Sequence, residues 1–157
     1  ELNIIIIGDG TLYERAIGLC QESGFFNSFQ FLRSIPHNQV LKHHTQSDIY
    51  VSANTDGNLI NTNLEAISAN ACMIIPKPQY DRFIDIETFK LLADAVNYYE
   101  VNNIKDLKSK ILFLLQNPNK INEYKRKLSS YKLKFIRTWN ERINEEEDIL
   151  KAIVMKK

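Results

Sequence analysis

Leu2-Asn3-Ile4-Ile5-Ile6-Ile7-Gly8-Asp9-Gly10-Thr11-Leu12-Tyr13-Glu14 is the stretch that decides the fold class. The unbroken isoleucine run has the pattern of a strand buried on both faces, as in parallel sheets. Gly8 and Gly10 end it with a turn. Thr11, with Glu14 three positions on, has the spacing of a helix capping box. Leu12, Ala16, Leu19 and Cys20 then fall on one helical face, and Gly24 is placed to stop that helix. Strand, glycine turn and helix make the first half of a βαβ unit. A central strand this close to the first residue, with no initiator Met, leads us to expect a chain cut from a longer one.

Outward from that stretch the alternation continues. Residues 29–32 read as a second strand. Ile35-Pro36-His37-Asn38 reads as a turn leading into a short helix through Val40 and Leu41. Residues 48–51 read as a third strand, and a polar loop from Ser52 to Ile60 leads to a helix over 61–69. Cys72-Met73-Ile74-Ile75 reads as a fourth strand stopped by Pro76 and Pro78, and residues 98–101 as a fifth. The rest is helical. Asn103 is placed to cap a helix carrying Ile104, Leu107, Ile111, Leu114 and Leu115. Asn117-Pro118 opens another, and Thr138 with Glu141 is a capping box for a last one. The expected fold class is α/β: a Rossmann-like parallel sheet with helices on both faces and a helical C-terminal segment, in one domain over 1–157.

Composition excludes several functions. The 157 residues are about one domain's worth, 44% are apolar and 25% are charged, which is ordinary for a globular chain. A net charge of +1 argues against a dedicated nucleic-acid binder, and no nucleic-acid partner is expected. Cys20 and Cys72 share no short spacing, so neither a disulfide framework nor a zinc ribbon is indicated. No apolar run reaches the ~18 residues of a membrane span, and no signal peptide is visible, so the expected compartment is the cytoplasm.

In open α/β sheets, ligands bind beyond the carboxyl ends of the strands. The loops that fall there are residues 8–11, 33–38, 52–62 and 76–82. Residues 52–65 stand out, because a polar loop follows a buried strand and runs into a helix N-terminus. Two readings of that segment stay open. In one, Asn61 or Thr62 caps the helix and Glu65 favours its positive end. In the other, a diphosphate sits on the helix N-terminus and Glu65 accepts hydrogen bonds from the paired hydroxyls of a sugar.

Asp48-Ile49-Tyr50-Val51-Ser52, followed by Gly57-Asn58-Leu59-Ile60-Asn61-Thr62-Asn63-Leu64-Glu65-Ala66-Ile67, resembles the signature of family 4-like glycosyltransferases. In that family a buried strand leads to an acidic loop and then a Leu-Glu-Ala helix. Ile4 to Gly10 is similar to the family's opening strand and glycine turn, Phe31 to His37 to its next strand end, and Trp139 to the start of its last helix. The resemblance implies the C-terminal, donor-binding half of a two-domain GT-B fold that lacks its first strand and helix. Those elements normally bring an Arg and a Lys to the donor phosphates. It also implies that this fragment alone is inactive.

Residue by residue, the resemblance implies that Glu65 holds the nucleotide ribose, and that Thr62 and the amides after it face the diphosphate. Gly8, Asp9 and Gly10 form the first turn near the nucleotide, and Ile35 and Pro36 meet the base. Asp56, Gly57, Asn58, Leu59 and Asn61 complete the expected donor-binding set. Two positions depart from the family pattern. Its first acidic residue falls on Gly57, with Asp56 one position away, while Asn58-Leu59-Ile60-Asn61 resembles an Asn-Leu-x-Asn variant. Its glycine after the helix is Asn70, the residue next most tolerant of a left-handed backbone.

The implied activity is retaining transfer of a sugar from a nucleoside diphosphate sugar, without a metal or other cofactor, to a glycan or lipid-linked acceptor bound by the missing domain. No catalytic acid or base can be nominated. A non-catalytic nucleotide-sugar or phosphate-binding module and a ligand-free interaction domain are the rival readings. Outside the candidate loops, His43 and His44 are adjacent and point apart on a helix, so a zinc site is not expected. His37 reads as a surface histidine, Cys20 and Cys72 as core residues, and Trp139 as a packing anchor. Residues 105–137 carry 10 basic and 2 acidic side chains, against 6 and 12 in residues 1–100. That stretch is read either as a solvated helix face or as a surface for peripheral contact with anionic membrane.

Overall fold

Every strand pairing in the computed structural model is parallel. It describes residues 2–54, 59–78 and 86–155, with residues 133–135 described by their backbone alone. The chain divides into two compact units, Glu1–Lys42 and His43–Lys157.

The first unit contains β1 (Ile4–Ile7), α1 (Tyr13–Glu22) and β2 (Phe29–Leu32). The β1–β2 ladder pairs Ile4 with Phe29 through to Ile7 with Leu32. Phe31 centres an aromatic cluster, with the rings of Tyr13, Phe26 and Phe29 between 6.0 and 6.4 Å away. The isoleucine run is only half-buried, and Ile7 is exposed. Two strands, one helix and a small aromatic cluster offer too little side-chain surface to bury both faces. Gly24 ends α1 with φ at 75°, as its position implied. The expected Thr11/Glu14 capping box does not form. Leu12 is the N-cap residue without a side-chain cap, and the Glu14 carboxylate is paired with Arg33 instead. The helix α2 (His37–Gln46), longer than the short one expected, runs across the point of division.

The second unit contains β3 (Ile49–Val51), α3 (Asn61–Ser68), β4 (Cys72–Pro76), α4 (Ile86–Leu92), β5 (Asn97–Tyr99), α5 (Ile104–Gln116), α6 (Pro118–Phe135) and α7 (Trp139–Val154). The strands lie in the order β3-β4-β5, so β4 is central. Every residue of β4 is buried. Side chains alternate across a strand, and β4 feeds a core on each face. Met73 and Ile75 pack with Ala66 and Ile67 of α3, Leu92, Val96 and Leu128. Cys72 and Ile74 pack with Tyr99 and Leu114, and with Ile111, Ile121 and Tyr124 beside them. Helices therefore cover both faces of this sheet, which is the expected fold class. Pro76 ends the ladder rather than preceding its end: it pairs with Tyr99, and the Lys77 amide makes the next bond to the Tyr99 carbonyl at 2.8 Å.

Helix α4 was not expected, and β5 begins one residue earlier than its pattern indicated. The C-terminal helices follow their caps. The Asn103 side chain accepts from the Asp106 amide, Pro118 opens α6, and Thr138 and Glu141 close a capping box at the start of α7. Helix α7 buries none of its residues, and Trp139 is 77% exposed, so the expected packing anchor lies in solvent. Among the described residues no helix is long and apolar enough to cross a membrane.

Candidate functional site

The expected donor-binding residues fall in both units. In the first, Gly8, Asp9 and Gly10 follow β1, and the Gly8 amide donates to the Leu32 carbonyl at 2.9 Å. Gly8 has φ at 151°, a conformation other residues avoid, and a side chain at Gly8 or Gly10 would meet open space. Ile35 and Pro36 come after β2 and lead into α2, whose Gln39 amide donates to the Pro36 carbonyl at 2.8 Å.

Arg33 ties this end of the ladder together. Its guanidinium pairs with Asp9 at 3.0 Å and with Glu14, and lies 4.3 Å from the centroid of the Tyr13 ring. These groups are exposed, so the pairing contributes little stability and mainly sets the shape of the turn. Sequence reading passed over Arg33. The signal was available in the register: Ile7 pairs with Leu32, so residue 33 emerges beside residue 8 at the same end of the ladder.

In the second unit, Leu59, Asn61, Thr62 and Glu65 surround the start of α3. Asp56, Gly57 and Asn58 lie outside the described residues. Ile60 is the N-cap, in extended conformation and with no side-chain cap, so neither Asn61 nor Thr62 caps the helix. Both are exposed residues of its first turn. Their place inside the helix has a clear cause: Asn63, Ala66 and Ile67 are buried, and that face fixes where the helix begins. The first amides of a helix have no partner within it, and with the helix dipole they form an anion-binding end. Glu65 lies in the second turn of α3, one turn on from Asn61, with its side chain 20% exposed.

The surroundings of Glu65 are built from the core outward. Asn63 is fully buried and its Oδ1 accepts from the Tyr50 hydroxyl at 2.9 Å. Tyr50, on β3, meets the edge of the His44 ring, with centroids 4.9 Å apart at 73°. His44 Nε2 lies 4.0 Å from Glu65 Oε2, and the His44 side chain is 10% exposed. Burial lowers the His44 pKa below its ordinary value, the Glu65 carboxylate works against that shift, and His43 adds to it. Burial therefore favours the neutral imidazole.

Ser52, at the end of β3, is buried and tied twice. Its amide donates to the Ile74 carbonyl at 2.9 Å, and its carbonyl accepts from the Tyr99 hydroxyl at 3.1 Å. Asn70 follows α3 with φ at 57°, the left-handed conformation its position required. Among the described residues no three His, Cys, Asp or Glu side chains gather where a metal ion would sit.

No protein-family model matches the chain, and no curated protein matches it. A solved structure does. Sucrose-phosphate synthase from Thermosynechococcus elongatus superimposes with a TM-score of 0.74 at 12% identity, over 98% of this chain and 39% of that one. At this identity the likeness is one of fold. The chain spans about two fifths of the length of the synthase.

Proposed function

We propose that this chain is the donor-binding domain of a retaining, family 4-like glycosyltransferase that moves a sugar from a nucleoside diphosphate sugar to a glycan or lipid-linked acceptor. The observation that carries this reading is the start of α3. It follows the carboxyl end of β3, its N-cap residue Ile60 supplies no side-chain cap, and Glu65 stands one turn further on. A diphosphate leaving group gains negative charge as the glycosidic bond breaks, and helix amides aimed at it stabilise that charge without reorganisation. A carboxylate one turn away has two oxygens for a vicinal diol, the pattern of a ribose. The fold shared with a sucrose-phosphate synthase supports a role in sugar transfer. The acceptor and the general acid–base chemistry belong to the rest of such an enzyme, outside these residues.

Calorimetric titration with UDP-glucose, GDP-mannose and the free diphosphates tests the proposal. Binding with micromolar to millimolar affinity is expected, and Glu65→Ala is expected to weaken it about tenfold, the worth of a charge-assisted hydrogen bond. Failure of every nucleotide to bind overturns the reading, and an unchanged Glu65→Ala affinity overturns the ribose role.

One observation favours the non-catalytic alternative: Gly57 stands where the family's first acidic residue belongs. Transfer or hydrolysis of a bound donor separates the two.

The basic stretch carries a companion proposal. Lys110, Lys120, Lys127 and Arg137 are in ion pairs. Among the described residues, Lys105, Lys108, Lys125 and Arg126 have none. Lys125 and Arg126 line a shallow groove with Asn70, Asn119, Asn122 and Ser129. We read this surface as one that leans on anionic lipid. Salt-dependent co-sedimentation with phosphatidylglycerol vesicles, lost in the Lys125→Glu/Arg126→Glu variant, is the expected result. Equal sedimentation with neutral vesicles overturns it.

A further inference from the structure

His44 has no part in the reading above, yet it is an ionisable group set against Glu65. Three elements meet there. His44 and His43 come from α2, Tyr50 from β3 and Glu65 from α3. The separation of 4.0 Å between His44 Nε2 and Glu65 Oε2 is too long for a hydrogen bond, yet short enough for a proton on the imidazole to close it. Tyr50 meets the imidazole edge to face. Its ring is held by the 2.9 Å bond to Asn63, which is fully buried, and it packs against the core that also seats Ala66 and Ile67.

We propose that His44 is a positioning residue for the Glu65 carboxylate: neutral, it walls the carboxylate on one side, whereas protonated it draws Oε2 into an ion pair and competes with a ligand's vicinal diol. This rests on the reading of Glu65 as the diol acceptor.

The sign follows from linkage. A ligand whose diol takes Glu65 Oε2 binds the neutral-His44 form, so binding takes up no proton above the imidazole's titration and displaces one below it. Affinity then holds at neutral pH and declines under mildly acidic conditions. His43, beside His44 on α2, opposes its protonation while itself charged, which moves the decline to lower pH.

The test uses UDP-glucose and GDP-mannose, whose two phosphates each carry one ester bond, share an anhydride bond and do not titrate between pH 5.5 and 7.5, unlike a terminal phosphate with its second pKa near 6. In the wild-type chain, affinity for whichever binds is expected to fall about fivefold from pH 7.5 to 5.5. In His44→Gln and His44→Phe the fall is expected to vanish while binding at pH 7.5 persists. The 2′-deoxyribose analogue, which has no vicinal diol, is expected to lack the His44-dependent part. A flat wild-type profile, or one that persists in both variants, overturns the proposal.

A ligand-free measurement stands beside it. The His44 imidazole, assigned by its loss in His44→Gln, is titrated by proton NMR in the wild type and in Glu65→Gln. Its midpoint is expected to fall in Glu65→Gln, because the anion favouring the charged ring is gone. An unchanged midpoint overturns the coupling. If no nucleotide sugar binds at pH 7.5, the donor-site reading falls, and the NMR titration alone decides whether His44 and Glu65 are coupled.

Discussion

The hydroxyl of Tyr99, at the end of β5, donates a 3.1 Å hydrogen bond to the carbonyl of Ser52, at the end of β3. The two strands flank β4, so this bond reaches over the central strand at its carboxyl end and anchors the start of the loop that leads to α3. Tyr99→Phe removes the bond and keeps the ring. We expect a loss of about 1 kcal/mol in urea-unfolding stability. We also expect faster amide exchange at Asn54, whose amide donates to the Ser52 hydroxyl at 3.4 Å. Unchanged exchange there would show that the anchor does not reach the loop.

Leu114 and Leu128 are both fully buried, one in each of the two cores fed by β4. Replacing either with Ala leaves a cavity and is expected to cost about 2–5 kcal/mol. Ile104 is 81% exposed, and Ile104→Ala is expected to stay within about 0.5 kcal/mol. Urea unfolding of the three variants checks this. A small effect at Leu128 alone would mean that the core beneath α3 is loosely packed.

Asn70 combines a left-handed backbone with a buried Oδ1 that has no hydrogen-bond partner among the described residues. Both features favour glycine. Asn70→Gly is expected to hold or raise the melting temperature, and Asn70→Ala to cost about 1–2 kcal/mol from the left-handed conformation alone. Equal stabilities would remove the backbone explanation for this residue.

The lowered pKa of His44 has a consequence for folding. The unfolded chain binds this proton near the ordinary value of 6.5, while the folded chain resists it. Its contribution to stability is therefore full above about pH 6.5 and is lost as pH falls from there through the folded value. Thermal melts between pH 5 and 8 should show a steeper acid decline in the wild type than in His44→Gln, provided both fold. Identical slopes would place the loss elsewhere.

Cys72 is fully buried, and burial pushes its thiol up to about 11, partly offset by Lys125. At pH 8 it is protonated and inaccessible. Iodoacetamide followed by mass spectrometry is expected to leave Cys72 unmodified in the native chain and to label it in urea. Native labelling at a comparable rate would contradict the packing of β4.

The legible parts of the sequence were those whose determinants are local. Asn103, Pro118, Thr138 with Glu141, and Gly24 each fix a helix end through groups within a few positions, and all four act as their spacing implied. Thr11 with Glu14 has the same spacing as Thr138 with Glu141, yet forms no box: the helix begins one residue later, with Leu12 as N-cap, and Arg33, distant in sequence, holds the Glu14 carboxylate. The apolar run at β1 resembled a buried strand more closely than Cys72-Met73-Ile74-Ile75 did, but only β4 is buried throughout. Burial depends on what surrounds a strand, which its own residues do not state. Glu65 was legible from its motif. His44 was not: helical spacing shows only that His43 and His44 diverge, and the neighbour of His44 lies twenty-one residues away on another helix.

On α3 the residues for a ligand and the residues for the core alternate within two turns. Asn61, Thr62 and Glu65 are accessible to differing degrees, while Asn63, Ala66 and Ile67 are enclosed. Each added residue rotates a helix by about 100°. A single insertion or deletion between Asn61 and Ala66 would therefore turn Glu65 out of its place or drive it toward the space that Ala66 fills. Such a helix tolerates exchange of side chains far better than change of length. Among natural variants of this chain, the interval from Ile60 to Ile67 should vary in letters but keep its count.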